Sequence, residues 1–368
     1  MRNLLVVLLF TSFSCTNTTQ GEVETKSEIV KVETRSKSSS KKAKNIILMI
    51  GDGMGTSQIF AGLVKNGGHL NLENFKHSGF IKTHASDNFI TDSGAGATAF
   101  ATGKKTYNGA ISVDDDGYEL KTILEIAKEN GLATGMVATS SITHATPACF
   151  AAHDESRNNY EAIARDIYRC GVDVFFGGGL QFFEPQGLVD SLLTAGYEIV
   201  KNMEELIVAA NNKIAGLLAL DYMPSMTEGR GDFLPMASKK AIEILGKSEK
   251  GFFLMIEGSQ IDWGGHANDT EYIATEMVDF DNAIGEVLKY ALLDTNTLII
   301  VTADHETGGF AVSGGSYEEK EIEGSFTSGG HTAVMVPIFA YGSGAEMFTG
   351  IFDNTEVFDK MMEAFGFD

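Results

Sequence analysis

At 368 residues, 43% hydrophobic and 21% charged, the chain has material for a large buried core, and five prolines argue against a linker-rich modular protein. A formal net charge of −22 makes nucleic acid and acidic membranes poor partners for its body, so no nucleic-acid-binding module is expected. An anionic substrate is admissible only where local cations reverse that field.

The N-terminus, MRNLLVVLLFTSFSC, has a charged start at Arg2, an apolar stretch Leu4–Phe10 and small residues before Cys15. Residues 1–15 therefore read as an export signal, too short to span a bilayer. The run Ser12-Phe13-Ser14-Cys15 has the pattern of a loose lipobox, which predicts a lipid anchor at Cys15 and a place in the bacterial periplasm or on the outer membrane. Cys149 and Cys170 are then too few for a disulfide framework and either pair or stay free. Residues 16–44 are Ser, Thr, Lys and Glu with few large apolar side chains, a composition that reads as a disordered tether. The first 44 residues hold eight basic and four acidic side chains, leaving 20 basic against 46 acidic in the body, a charge near −26.

The body, residues 45–368, opens with a buried-type strand at Ile46–Ile50 that runs into the turn Gly51-Asp52-Gly53. The stretch TDSGAGATAFATGKKTYNG, Thr91–Gly109, then sets one hydroxyl beside a carboxylate and keeps its neighbours small until Phe100. Helical patterns alternate with strand patterns from there on: Lys121–Asn130 with Ala133–Thr139, Asn158–Arg169 with Val172–Phe176, and Pro235–Leu245 with Phe252–Ile256. Thr270–Leu292 leads to Thr297–Thr302, and Val334–Tyr341 reads as a last buried strand. Such alternation predicts an α/β fold, a three-layer α/β/α sandwich around a mainly parallel sheet, in one domain. Site residues should gather at the C-terminal ends of the strands.

Polar clusters do follow the apolar runs: Asp52 after IILMIGDG, Glu257, Asp262 and His266 in FFLMIEGSQIDWGGH, Asp304 and His305 in LIIVTADHETGG. Any one carboxylate there reads equally as a helix cap or turn former. Three clusters, two of them with histidine, point to metal chelation. Asp262 and His266, four residues apart, share a face if the segment is helical; Asp304-His305 is a second set, and His331 in a Gly-rich loop a distant nitrogen. Carboxylate with imidazole suits zinc, whereas an all-oxygen set such as Asp52, Glu257 and a hydroxyl suits magnesium. His69, His77, His84 and His153 read as surface or core residues. Metal ions beside a serine indicate phosphoryl chemistry, with Ser93 activated by direct coordination and facing phosphate from a helix start; taken alone, Asp92-Ser93 also reads as a helix cap.

IGDGMG, TDSGAGATAFATG with KKTYNGAI, HATPACFAAHDESR, IEGSQIDWGGH, TADHETGG and GGHTAVMVPIFAYG follow one another from Asn45 to Gly342. In that order they resemble the alkaline phosphatase family. The resemblance implies hydrolysis of small-molecule phosphomonoesters through a covalent phosphoserine at Ser93, with two zinc ions and one magnesium ion. It assigns Asp262, His266 and His331 to one zinc and Asp304, His305 and Asp52 to the other. Asp52 then bridges to a magnesium completed by Thr146 and Glu257, Arg157 grips two phosphate oxygens, and Asp92 orients Arg157. Two positions depart from the best-known bacterial pattern: His144 stands where an aspartate precedes Ala-Thr-Pro, and Trp263 where a lysine follows the zinc-binding aspartate. In the family those positions support the magnesium's waters and the phosphate; here His144 either ligates the third site directly or hydrogen-bonds through water, softening its metal preference, and Trp263 either brings no charge to the phosphate or is a packing residue at a rim or interface.

The same resemblance implies a homodimer, and the short body implies an open site of broad specificity. A phosphodiesterase of the same superfamily and a non-catalytic phosphate- or metal-binding lipoprotein are the competing readings. Diesterases commonly use threonine and lack an arginine placed like Arg157, a sulfatase maturation motif does not surround Ser93, and a spent site is expected to have lost a ligand.

Overall fold

Ile46-Ile47-Leu48-Met49-Ile50 offers no polar face, so a strand built from it is stable only where both sides of a sheet are covered. The computed structural model describes residues 42–367; the export segment 1–15, Cys15 and nearly all of the tether lie outside the described residues. The run of five becomes β1 (Asn45–Gly51). In chain order there follow β2 (His77–Lys82), β3 (Ala133–Ser141), β4 (Val174–Gly178), β5 (Glu198–Val200), β6 (Ile214–Leu217), β7 (Phe252–Gly258) and β8 (Thr297–Thr302). The remaining strands are β9 (Glu306–Thr307), β10 (Ala311–Ser316), β11 (Glu321–Ser325), β12 (His331–Thr332), β13 (Val336–Gly342) and β14 (Gly350–Asp353).

Among the described residues, ten of these strands form one sheet in the order β14-β2-β13-β8-β1-β7-β3-β4-β6-β5. The three central strands β8, β1 and β7 are buried along their whole length. Their parallel register sets Ile50 beside both Glu257 and Thr302, so their C-terminal ends finish level. Helices Thr56–Lys65, Phe233–Leu245 and Thr270–Leu293 pack together as one layer. Ser93–Thr102, Ile123–Glu129, Ala145–Ala151 and Tyr160–Cys170 form another, the arrangement of an α/β/α sandwich.

Val334–Tyr341 departs from its expected place as the last buried strand. The strand is β13, antiparallel to both β8 and β2; Val334 and Met335 stay exposed, and the short β14 follows it at the sheet edge. No described helix lies between β8 and β13, and without a crossover a returning chain pairs antiparallel. Cys149 and Cys170 are free thiols, Cys149 buried and Cys170 partly so; burial pushes each up to about 12, which favours the thiol over the thiolate.

Candidate active site

Four adjacent strands end at one place. β1 delivers Asp52, β7 carries Glu257 into the helix Gln260–His266, β8 leads to Asp304-His305, and β3 runs through Ser140-Ser141 to His144 and the helix of Thr146. Close packing between these segments needs Gly53, whose φ of +70° and distance of 2.7 Å from an added Cβ to the Asp262 Cα admit no side chain. The pair β9–β12 then folds His331 back over His305, with ring centroids 3.5 Å apart.

Asp92 is the N-cap of the helix Ser93–Thr102: its Oδ1 accepts the Ala95 N–H at 2.9 Å, and its Oδ2 accepts Arg157 Nη1 at 2.8 Å. The cap and the arginine-orienting role are therefore one carboxylate's two oxygens. The small residues behind Ser93 make room for protein: a Cβ on Gly94 would sit 2.7 Å from the Ala110 carbonyl oxygen, and one on Gly96 would sit 3.1 Å from the Asp304 Cβ.

Ser93 Oγ lies 3.4 Å from His305 Nε2, which is 3.3 Å from Asp304 Oδ2 and 3.5 Å from Asp52 Oδ1. His266 Nε2 is 3.3 Å from Asp262 Oδ2 and 3.2 Å from His331 Nε2. Each imidazole has its other nitrogen committed. His266 Nδ1 donates to the Gly329 carbonyl at 2.8 Å and His331 Nδ1 to the Thr91 carbonyl at 2.9 Å. The Thr307 hydroxyl donates to Asp262 and so accepts from His305 Nδ1 at 3.2 Å. In the neutral rings the Nε2 lone pairs all point into the cleft, the disposition of metal ligands.

The carboxylates fit that reading. Asp304 Oδ1 is held by the N–H groups of Gly53 and His305, while its Oδ2, like Asp52 Oδ1 and Glu257 Oε1, is buried and accepts no hydrogen bond. Burial, then the neighbouring carboxylates, hold Asp52 well above the usual carboxylate range, and burial pushes Glu257 and Asp304 up to about 7. Such acids stay charged only beside cations. The donor atoms gather into three groups: Asp262, His266, His331; Asp52, Asp304, His305; and Asp52, His144, Glu257. Thr146 Oγ1, 3.4 Å from Asp52 Oδ2, adjoins the third.

The residues expected on the phosphate side meet there too. Arg157 Nη2 lies 3.3 Å from His144 Nε2, and since a guanidinium only donates, His144 accepts. Burial and then the Arg157 charge press the imidazolium of His144 down to about 3, so the ring is neutral, with Nδ1 buried and unpartnered. Trp263 packs edge-on against His144 at 6.1 Å and against the rim residue Tyr222 at 4.9 Å.

Residues 43–324 match the alkaline phosphatase family. Alkaline phosphatase 3 of Bacillus subtilis (strain 168) is 32% identical over 99% of this chain and 97% of its own length. The chain belongs to the alkaline phosphatase family. The solved structure of alkaline phosphatase from the Antarctic bacterium TAB5 matches with a TM-score of 0.85 at 45% identity, covering 89% of this chain and 99% of that one. A TAB5 mutant with aspartate replacing a histidine, solved with Mg bound in its M3 site, matches at 0.84 and 44% over the same shares. The family's enzymes are phosphomonoesterases, and so is this one. Its alkaline phosphatase fold brings all thirteen expected site residues together at the strand ends, Trp263 by way of His144.

Reasoning from sequence missed two groups in this alkaline phosphatase. Thr307 ties Asp262 to His305, and its signal was its place inside TADHETGG, two residues after His305. Tyr222 left no signal, because its contact with Trp263 joins segments 41 positions apart.

Proposed function

We propose that this phosphomonoesterase works through a covalent phosphoserine at Ser93. The observation that supports this most directly is the Ser93 hydroxyl at 3.4 Å from the lone pair of a buried, neutral His305. Asp262, His266 and His331 would hold one zinc ion, Asp52, Asp304 and His305 a second, and Asp52, Glu257 and Thr146 a magnesium ion. Bound there, the cations would supply positive charge for the alkoxides of nucleophile and leaving group and for the hydroxide of the attacking water. Arg157 binds two non-bridging phosphate oxygens; Asp92 holds it in place, and the phosphoryl group passes to Ser93 and then to water. The positive end of the helix that begins at Ser93 faces the incoming anion.

His144 beside the third group shifts its preference toward softer divalent ions. The TAB5 mutant, in which an aspartate accompanies bound magnesium, supports that reading by analogy. The short body, with little room for insertions over the site, favours broad specificity. Phe80, Val334 and Met335, exposed along one surface depression, support a homodimer. Export, with anchoring at Cys15 in the periplasm or on the outer membrane, rests on the N-terminal pattern. The deciding measurement is hydrolysis of a chromogenic phosphomonoester. Loss on chelation, recovery with zinc plus magnesium, and acid-trapped phosphate on Ser93 are expected; binding without turnover would leave only a phosphate-binding module.

A further inference from the structure

The segment Lys104–Ile111, KKTYNGAI, belongs to no ligand set, yet it runs between the nucleophile's helix and the loop that carries Arg157. We infer that Asn108 is a positioning residue that sets Asp92, and through it Arg157, for phosphate binding. Its side chain is a two-armed bridge. Asn108 Oδ1 accepts the main-chain N–H of Asp92 at 2.8 Å, and Nδ2 donates to the Ile90 carbonyl at 2.9 Å. The amide thus clamps the chain on both sides of Thr91 and holds Asp92 extended, at φ −100° and ψ 173°. An N-cap needs such a conformation to turn its carboxylate back over the helix end.

The next residues reach the other side. The Gly109 carbonyl accepts the main-chain N–H of Arg157 at 2.7 Å, and Ile111 exchanges two main-chain hydrogen bonds with Asp154, each 2.9 Å. The Ala110 carbonyl oxygen lies against Gly94 so closely that no side chain fits between them. Two consecutive residues therefore hold the two halves of the Asp92–Arg157 pair, Asn108 the aspartate and Gly109 the arginine, while Ala110 and Ile111 lie against the neighbouring Gly94 and Asp154. Asn108 itself is anchored from below, its N–H donating to Asp87 Oδ1 at 3.1 Å. Loss of the amide frees the residues before Ser93 to relax, and the Asp92 carboxylate then moves relative to a guanidinium whose own backbone stays fixed by Gly109.

The inference rests on Arg157 being the phosphate-binding group, so both are tested together with inorganic phosphate as probe. Phosphate inhibition constants, KM, kcat and thermal midpoints are measured for the metal-loaded enzyme, for Asn108→Ala, for Arg157→Ala and for the double variant. Asn108→Ala is expected to weaken phosphate binding and raise KM about tenfold, the effect of one well-placed hydrogen bond, with a smaller change in kcat. In the Arg157→Ala background the same change should have no further effect on phosphate. Asn108→Ser, which keeps one hydrogen-bonding atom, is carried alongside in case the alanine variant folds poorly, and should lose less. An equal loss in both backgrounds, or a lowered midpoint with unchanged phosphate affinity, overturns the positioning role. Unchanged phosphate affinity in Arg157→Ala alone overturns the underlying assignment instead.

Discussion

Asp92 presents its two carboxylate oxygens to two different partners: Oδ1 caps the helix of Ser93 through Ala95, and Oδ2 receives Arg157 at 2.8 Å. Asp92→Asn keeps an acceptor for the cap and loses the charged acceptor for the arginine. Its thermal midpoint should stay near that of the parent while the phosphate inhibition constant rises about tenfold. Asp92→Ala should show the same kinetic loss plus about 1 kcal/mol of lost stability from the missing cap. Equal stability of the two variants would sink the division of labour.

Thr307 joins Asp262 to His305 and decides which His305 nitrogen carries the proton. Thr307→Val preserves shape and removes the hydroxyl. Zinc affinity, read by competition with a chelating dye, is expected to fall about 10- to 100-fold, as for other groups that orient metal ligands. An unchanged affinity would show that His305 needs no orienting partner.

Acidity separates the stripped and loaded proteins. Without metal, Glu257 and Asp304 hold protons up to about pH 7, well above their ordinary values. A raised carboxylic acid stabilises the fold at low pH, and that contribution is lost as pH rises through about 7. His266, raised to about 9 by its hydrogen bond to Asp262, adds stability that is likewise lost upward, through about 9. Metal binding needs these groups deprotonated and so strengthens over the same range. Calorimetric midpoints of chelated and zinc-plus-magnesium-loaded protein should therefore move apart from about pH 5 to 8; a gap independent of pH would contradict the ligand assignment.

Trp263 carries no charge and leans on His144, which accepts from Arg157. Trp263→Lys adds an ammonium near His144 and Arg157, and product inhibition by phosphate should tighten about tenfold while turnover falls. If neither changes, Trp263 is packing alone and release does not depend on it.

His144 is neutral at working pH because burial and Arg157 oppose its imidazolium. His144→Asp turns the third group into an all-oxygen set, the kind magnesium prefers, and gives Arg157 a charged acceptor. The magnesium concentration for half-maximal activation should drop about tenfold or more, with zinc no longer able to replace it there. Equal magnesium dependence in both proteins would count against a ligand role for this position.

The layer order and the site's location were legible in the chain itself. Runs such as Ile46–Ile50 and Phe252–Ile256 have no polar face, so they determined central parallel strands, and Asp52, Glu257 and Asp304 stand where each apolar run gives out, although all three stay buried. The i,i+4 spacing of Asp262 and His266 likewise determined a shared face once the segment was helical. Tertiary structure alone decided the direction of β13, since pairing sense depends on how the chain returns from β8 and not on the strand's own residues. It also decided which imidazole nitrogen is left free, because the remote Gly329 and Thr91 carbonyls and the Thr307 hydroxyl, itself oriented by Asp262, select each tautomer. The bridge from Asn108 to Asp92 and Ile90 belongs to the same class: an asparagine's two arms have no meaning until folding brings a donor and an acceptor within 3 Å of them.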